Sequence, residues 1–98
     1  MVNIKCAMSQ VAKHIIFIGC VQGIGFRFTA HNTANLYGLA GFVRNLPDGT
    51  VEMLTQGSDE DIDECVRDIK EYFSGYIRET KIEETPFDPR YKDFNIRF

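Results

Sequence analysis

The chain has 98 residues, of which 44% are hydrophobic and 26% are charged, and its 11 Lys and Arg against 14 Asp and Glu leave a net charge of −3. A chain of this length builds one domain around one core, since chains divide into separate domains only above roughly 200–300 residues. This composition excludes a disordered chain, and the acidic balance disfavours a nucleic-acid binder, which is usually basic. No apolar run approaches the roughly 20 residues that span a bilayer, so we expect no membrane partner.

The start of the chain and the cysteines bear on location. Residues 1–11 show little periodicity and no apolar signal-peptide core, so we expect a flexible leader followed by a single domain at 12–98. Cys6, Cys20 and Cys65 are too few and too widely spaced for a disulfide framework. These features predict a cytoplasmic protein.

The first half of the chain predicts a strand, a glycine loop and a helix. The β-branched run His14–Gly19 is typical of a strand that is buried on both faces. Three glycines within positions 19–25 exclude a regular element and favour a tight loop. Apolar side chains then recur at helical spacing, and Gly38 follows as a C-terminal cap; they are Phe26, Ala30, Ala34 and Tyr37.

A hairpin and a second helix follow. Leu39–Leu46 and Thr50–Gln56 are strand candidates that the turn Pro47-Asp48-Gly49 joins. Ser58 and Asp61 resemble a capping box in which Asp replaces the usual Glu or Gln. The apolar face of the second helix ends near Gly75; it comprises Ile62, Cys65, Val66, Ile69 and Phe73.

The last quarter predicts two more strands. The charged segment Tyr76–Glu84 suits a sheet edge, and Pro86 and Pro89 bracket a loop before a short alternating strand over 94–98. The order is therefore β-α-β-β-α-β with an added C-terminal strand. This is the α+β, ferredoxin-like sandwich, in which we expect one antiparallel sheet with two helices on one face.

The glycine loop at residues 19–25 leads directly into Arg27. Successive amides in such a turn can form a concave nest for an anion, and the following helix N-terminus adds free N–H groups and a positive dipole end. Arg27, in the first helical turn, can hold a phosphate in a bidentate manner. The alternative is a tight connection with a solvated arginine. The loop lacks the Lys-Ser/Thr pair of a nucleotide-binding Walker loop, so a small phosphoryl group fits better than a nucleotide.

Asn45 lies where the second strand meets its turn. An asparagine there usually caps backbone groups or tolerates left-handed geometry. Its amide can also hold a water, because it donates and accepts at once. The residues alone leave both readings open.

Two motifs resemble the signatures of the acylphosphatase family. Gly19 to Arg27 resembles G-x-V-Q-G-V-x-F-R, with Ile24 in place of the usual Val. The second signature, G-[FYW]-[AVC]-x-N-x3-G-x-V-x5-G, is matched throughout, by Gly41, Phe42, Val43, Asn45, Gly49, Val51 and Gly57. The resemblance extends roughly from Lys13 to the C-terminus and is least diagnostic over 76–92.

The resemblance implies a hydrolase that splits acyl phosphates into a carboxylate and inorganic phosphate, without a cofactor or metal. It implies that Arg27 binds the phosphoryl group and that Asn45 positions the attacking water. It also implies phosphate binding by the amides of the loop, which comprises Val21, Gln22, Gly23, Ile24, Gly25 and Phe26. The partner is then a small acyl phosphate, and we expect a monomer.

Other reactive side chains fit structural roles better. His14 and His31 occupy no catalytic position of the family and have no metal-ligand spacing. Cys20 borders the loop, either as a small strand-end residue or as an oxidation-sensitive thiol. The acidic run over 59–64 suits a helix N-terminus rather than a metal site.

Two other functions compete with hydrolysis. An RNA-recognition module shares the β-α-β-β-α-β order, but it stacks bases on aromatic side chains, and the strand Thr50–Gln56 contains none. A non-catalytic, regulatory phosphate- or acyl-phosphate-binding domain of the same fold is the closer alternative. The presence of both Arg27 and Asn45 favours the enzyme.

Overall fold

A computed structural model describes residues 10–98. The elements in order are β1 (Gln10–Gly19), α1 (Phe26–Leu36), β2 (Ala40–Asn45), β3 (Val51–Ser58), α2 (Asp59–Tyr72), β4 (Ile77–Thr85) and β5 (Phe94–Arg97). The strands form one sheet in the order β4-β1-β3-β2-β5. The ferredoxin-like α+β class is confirmed.

The sheet is mixed rather than wholly antiparallel. β1 pairs antiparallel with β3 and β4, and β2 pairs antiparallel with β3, as expected. The added strand β5 instead pairs parallel with β2, where Gly41 faces Phe94 and Arg44 faces Arg97. β4 lies at one edge, in agreement with its charged sequence, and β5 lies at the other.

The first strand begins earlier than its apolar run. Gln10 pairs with Ser58 and Val11 with Gly57, so these two residues belong to the sheet and not to a leader. Antiparallel pairing with β3 holds both residues in the sheet. The sequence does not indicate this pairing, because the apolar run begins only at His14. The rest of the expected leader, residues 1–9 with Cys6, lies outside the described residues.

The core lies between one face of the sheet and both helices. Alternate residues of the central strands point toward the helices, and these are fully buried: Ile15, Phe17, Val43, Val51 and Met53. The ring centre of Phe26, on α1, lies 4.9 Å from the ring centre of Phe17 and 4.6 Å from that of Phe73. Burial of each large apolar side chain stabilises the folded state by about 1.5–3 kcal/mol relative to leaving it exposed.

The expectation that β1 is buried on both faces is wrong. Ile15 and Phe17 are buried, whereas His14 and Ile16 on the opposite face are only half-buried. Both helices cover the same side, so the other face of the sheet is open to solvent apart from the end that the loop over 86–93 covers.

The strand ends bring four chain segments together. Phe17 and Asn45 both pair with Val51, and Arg44 pairs with Arg97. The C-terminal ends of β1, β2 and β5 and the start of β3 therefore lie at one end of the sheet. The loop that joins β1 to α1 begins at the same end. Within residues 10–98, neither helix combines the length and the apolar character needed to cross a bilayer.

Candidate active site

The loop between β1 and α1 owes its shape to glycine. Gly23 and Gly25 have φ of 81° and 79°, in the left-handed region that other residues rarely adopt. Gly25 is the N-cap of α1, and no side chain caps this helix end. No acidic residue occupies the first turn of α1. The positive end of the helix dipole and its free N–H groups are thus available to an anion.

Arg27, in that first turn, carries an uncompensated charge. Its Nη1 donates to the Arg97 carbonyl oxygen at 3.2 Å, and its guanidinium carbon lies 4.7 Å from the centre of the Phe98 ring. Arg44 and Arg90 pair with Glu52 and Asp88, but among the described residues no carboxylate pairs with Arg27. A carbonyl and a ring therefore orient this half-buried cation and leave its charge for a ligand.

Asn45 ends β2 directly before the tight turn. Leu46 N–H donates to the Thr50 carbonyl at 2.9 Å, and the Asp48 carboxylate accepts from the Thr50 N–H at 3.0 Å. These bonds close the turn and hold the pairing of Asn45 with Val51. Within the described residues the buried Asn45 Oδ1 accepts no hydrogen bond. Such a buried acceptor costs free energy unless a water or ligand satisfies it.

Gln22 joins the glycine loop to the turn. Its Nε2 donates to the Leu46 carbonyl at 2.8 Å and to the Thr50 carbonyl at 2.9 Å. The sequence places Gln22 among residues that act through backbone amides, and its side-chain role is visible only once the two segments are seen side by side. One amide therefore connects the segment before Arg27 to the segment after Asn45.

Arg27 and Asn45 line one cleft of about 250 Å³. It is smaller than pockets for drug-sized ligands, which occupy about 300–1,000 Å³. Its other lining residues are Val21, Gly23, Gly25, Phe26, Phe28, Ile96 and Phe98. The predicted loop residues Gln22 and Ile24 do not line it, because Gln22 turns toward Leu46 and Thr50 and Ile24 packs against the core. The sequence interpretation missed Phe28, Ile96 and Phe98, of which only Phe28 adjoins a motif.

The histidines and Cys20 lie outside this cleft. His14 Nε2 contacts the Glu52 carboxylate at 2.6 Å on the open face of the sheet. Burial raises the pKa of Glu52, but hydrogen bonds from His14 and Arg44 outweigh it and leave that pKa below its usual value. His31 contacts Asn32 and Asn35 on α1. The exposed Cys20 borders the loop, and its N–H donates to the Tyr76 carbonyl at 2.9 Å.

The acidic run at the start of α2 has a structural role. The Lys13 ammonium lies 2.7 Å from the Asp59 carboxylate and 3.3 Å from that of Asp63. Ser58 Oγ accepts the Asp61 N–H at 3.1 Å, so Ser58 is the N-cap of α2 and supplies one of the two bonds of the predicted capping box. Over residues 10–98, no cluster of His, Cys, Asp and Glu side chains has the arrangement of a metal site.

The comparisons with known proteins agree with the two motifs. The acylphosphatase family model matches residues 13–96. An acylphosphatase of Chlorobaculum tepidum is 39% identical over 91% of this chain and 98% of its own. The crystal structure of acylphosphatase from Bacillus subtilis has a TM-score of 0.82 and 30% identity over 90% of this chain and 99% of its own. Full-length HypF, in a phosphate- and nucleotide-bound form, has a TM-score of 0.80 and 33% identity over 91% of this chain but only 12% of HypF. The chain belongs to the acylphosphatase family.

Proposed function

We propose that this protein hydrolyses small acyl phosphates to a carboxylate and inorganic phosphate. One observation carries the proposal: Arg27, a cation with no carboxylate partner among the described residues, lines the same cleft as the unsatisfied Asn45 Oδ1. The first suits a phosphoryl group and the second suits a water molecule. The cleft volume of about 250 Å³ suits a small phosphorylated ligand.

The phosphoryl group binds to Arg27 and to the amides of residues 21–26. The guanidinium and the N-terminal amides of α1 stabilise the charge on its non-bridging oxygens. In a loose transition state such positioning and charge stabilisation supply most of the catalysis. The Arg97 carbonyl and the Phe98 ring limit the motion of Arg27, so less reorganisation is needed when the substrate binds.

Asn45 orients the water. Its Oδ1 accepts a hydrogen bond from the water, which places the water oxygen in line with the bond to be broken. That oxygen forms a new bond to phosphorus while the bond between phosphorus and the acyl oxygen breaks. The carboxylate leaves with the electron pair, and because its acid has a pKa near 4 it needs little protonation. A phosphate oxygen takes the proton of the water, so the products are the carboxylate and inorganic phosphate.

The cellular location, the oligomeric state and the ligands of the protein are also part of this proposal. We infer a cytoplasmic monomer that needs neither metal nor cofactor and binds neither nucleic acid nor membranes. The described cysteines support a reducing compartment: Cys20 is exposed and Cys65 is buried, and both are free thiols. Burial raises the pKa of the Cys65 thiol to about 12, which keeps it protonated and unreactive.

The test is turnover of acetyl phosphate and benzoyl phosphate in the presence of EDTA. We expect metal-independent hydrolysis, competitive inhibition by inorganic phosphate, and a loss of about 10³-fold in kcat/KM for Arg27→Gln. Arg67→Gln, which removes an exposed arginine of α2, is the matched control and retains full activity. Absence of turnover in folded wild-type protein, or full activity of Arg27→Gln, would contradict the proposal.

A second candidate is a regulatory domain that binds phosphate or an acyl phosphate without hydrolysing it. The likeness to one part of HypF favours it, since that protein is far longer than this chain. The same assay separates the two: binding of inorganic phosphate, measured by calorimetry, with no turnover of either acyl phosphate, identifies the regulatory domain.

A further inference from the structure

We propose that the cleft selects substrates whose acyl group is aromatic or bulky and carries no negative charge. The acyl group lies against an apolar rim formed by Phe28, Ile96 and Phe98. This inference rests on the proposed function, because it concerns the part of the acyl phosphate that leaves.

Two exposed aromatic rings at the mouth of the cleft are the first support. Phe28 is 64% exposed and Phe98 is fully exposed, yet both line the cleft together with the half-buried Ile96. A single exposed apolar side chain is ordinary, but apolar side chains grouped around a polar site indicate a binding surface. Other exposed aromatic side chains, such as Tyr72 and Phe87, lie away from the cleft.

The position of the rim relative to Arg27 is the second support. Phe28 follows Arg27 in the first turn of α1, and the Phe98 ring centre lies 4.7 Å from the guanidinium carbon. A phosphoryl group on Arg27 therefore brings its own acyl substituent within reach of both rings. Asn45 lines the same cleft, and if it holds the attacking water, in-line displacement requires the acyl group to leave on the side opposite that water.

Charge is the third support. Arg27 is the only charged side chain among the described residues that line the cleft. A carboxylate or second phosphate on the acyl group would have no cation to pair with. It would instead meet the rings of Phe28 and Phe98, whose faces carry negative partial charge. The rim thus attracts an uncharged ring and disfavours a second anionic group.

Phosphonates test the rim separately from hydrolysis. Methylphosphonate, benzylphosphonate and phosphonoacetate share one anionic head and differ only in the group attached to it. We expect wild-type protein to bind benzylphosphonate about tenfold more tightly than methylphosphonate, which corresponds to about 1.4 kcal/mol. Phosphonoacetate binds no more tightly than methylphosphonate. The Kd values are measured by calorimetry.

Substitutions in the rim reduce that preference. Phe28→Gln and Phe98→Gln each narrow the ratio of the two Kd values from about tenfold to about threefold or less, the range of an aromatic contact. Leu36→Gln is the matched control, since Leu36 is 78% exposed at the far end of the same helix. It leaves the ratio at the wild-type value.

Phe28→Gln is then assayed on benzoyl and acetyl phosphate, since Phe98 also orients Arg27 and its loss would affect both substrates. A selective loss of kcat/KM on benzoyl phosphate supports the inference. Equal Kd values for benzyl- and methylphosphonate in wild-type protein, or a ratio that Phe28→Gln and Phe98→Gln leave intact, would overturn it while hydrolysis of both acyl phosphates still stands. Phosphonate selectivity without hydrolysis of either substrate would reject the proposed function, and with it an acyl-group role for the rim.

Discussion

Two side-chain amides occupy opposite ends of the same sheet and differ in what satisfies them. Gln56, 2% exposed on β3, bonds in both directions: its Nε2 donates to the Asp88 carbonyl at 2.6 Å, and its Oε1 accepts the Asp88 N–H at 3.2 Å. Asn45, on the neighbouring strand β2, keeps a buried Oδ1 with no donor among the described residues. The loop that contains Asp88 covers the Gln56 end of the sheet, which we call the closed end. The Asn45 end, which we call the open end, keeps an unsatisfied acceptor.

The difference separates a structural amide from a functional one. A satisfied buried amide stabilises the fold, and its removal leaves the partner groups unpaired. An unsatisfied amide contributes little to the fold and is available to a ligand or water. The two amides should therefore respond in opposite ways to substitution, one in stability and the other in activity.

Replacement of Asn45 should give the larger change in activity. We expect Asn45→Ala to lower kcat by about 10²–10³-fold, the range for loss of one positioned polar group in a transition state. Its free energy of unfolding should not fall, because Oδ1 loses no bond within the protein and a buried acceptor without a donor is itself unfavourable. Steady-state kinetics and urea unfolding measure the two quantities. A large loss of stability would assign Asn45 to the fold.

Replacement of Gln56 should give the reverse result. Gln56→Leu leaves the Asp88 N–H and carbonyl without their partner, so the free energy of unfolding should fall by about 1–3 kcal/mol. The kcat of the folded variant should stay within about twofold of wild type. Gln56 is near the opposite end of β3 from Val51, the residue that pairs with the cleft-lining Asn45. A loss of kcat comparable to that of Asn45→Ala would remove the distinction between the two ends.

The sequence predicts the open end better than the parts that surround it. The sequence alone identifies the glycine loop and the asparagine at the turn, because turn geometry and helix starts are local properties of the chain. These residues are Gly23, Gly25 and Asn45. The pairing of β5 with β2 is not local: alternation identifies a strand but not its neighbour. The same holds for Phe98, whose ring reaches Arg27 only because β5 lies beside β2.

Gln22 shows the same limit inside a recognised motif. Its spacing in the loop predicts a backbone role, whereas its side chain spans the loop and the turn through the Leu46 and Thr50 carbonyls. No local pattern identifies these acceptors, since they lie 24 and 28 residues further along the chain. The folded structure is needed to identify Gln22 as a positioning residue for the open end.

Gln22→Met keeps the length of the side chain and removes both bonds. We expect kcat to fall about tenfold, because small displacements of Asn45 relative to the loop misalign the water. The inhibition constant of inorganic phosphate should change by less than about threefold, since Arg27 stays on α1. Equal losses in kcat and in phosphate affinity would mean that the whole site has collapsed. An unchanged kcat would show that the loop and the turn keep their positions without this amide.

The smallest effect concerns the loop that covers the closed end. The Arg90 guanidinium donates to the Asp88 carboxylate at 2.8 Å and lowers the pKa of that carboxyl to about 2. A depressed pKa stabilises the fold above the ordinary pKa of Asp, about 4, and this contribution disappears as the pH falls toward 2. Arg90→Gln should therefore lower the urea midpoint slightly at pH 6 and not at pH 2. Arg67→Gln, whose guanidinium lies 3.8 Å from Glu64 on the exposed side of α2, removes the same charge elsewhere and serves as the control. An Arg90→Gln midpoint at pH 6 that shifts no more than that of Arg67→Gln would show that the Arg90–Asp88 ion pair does not stabilise the loop. The bonds between Gln56 and the Asp88 backbone would then be sufficient to hold the loop against the sheet.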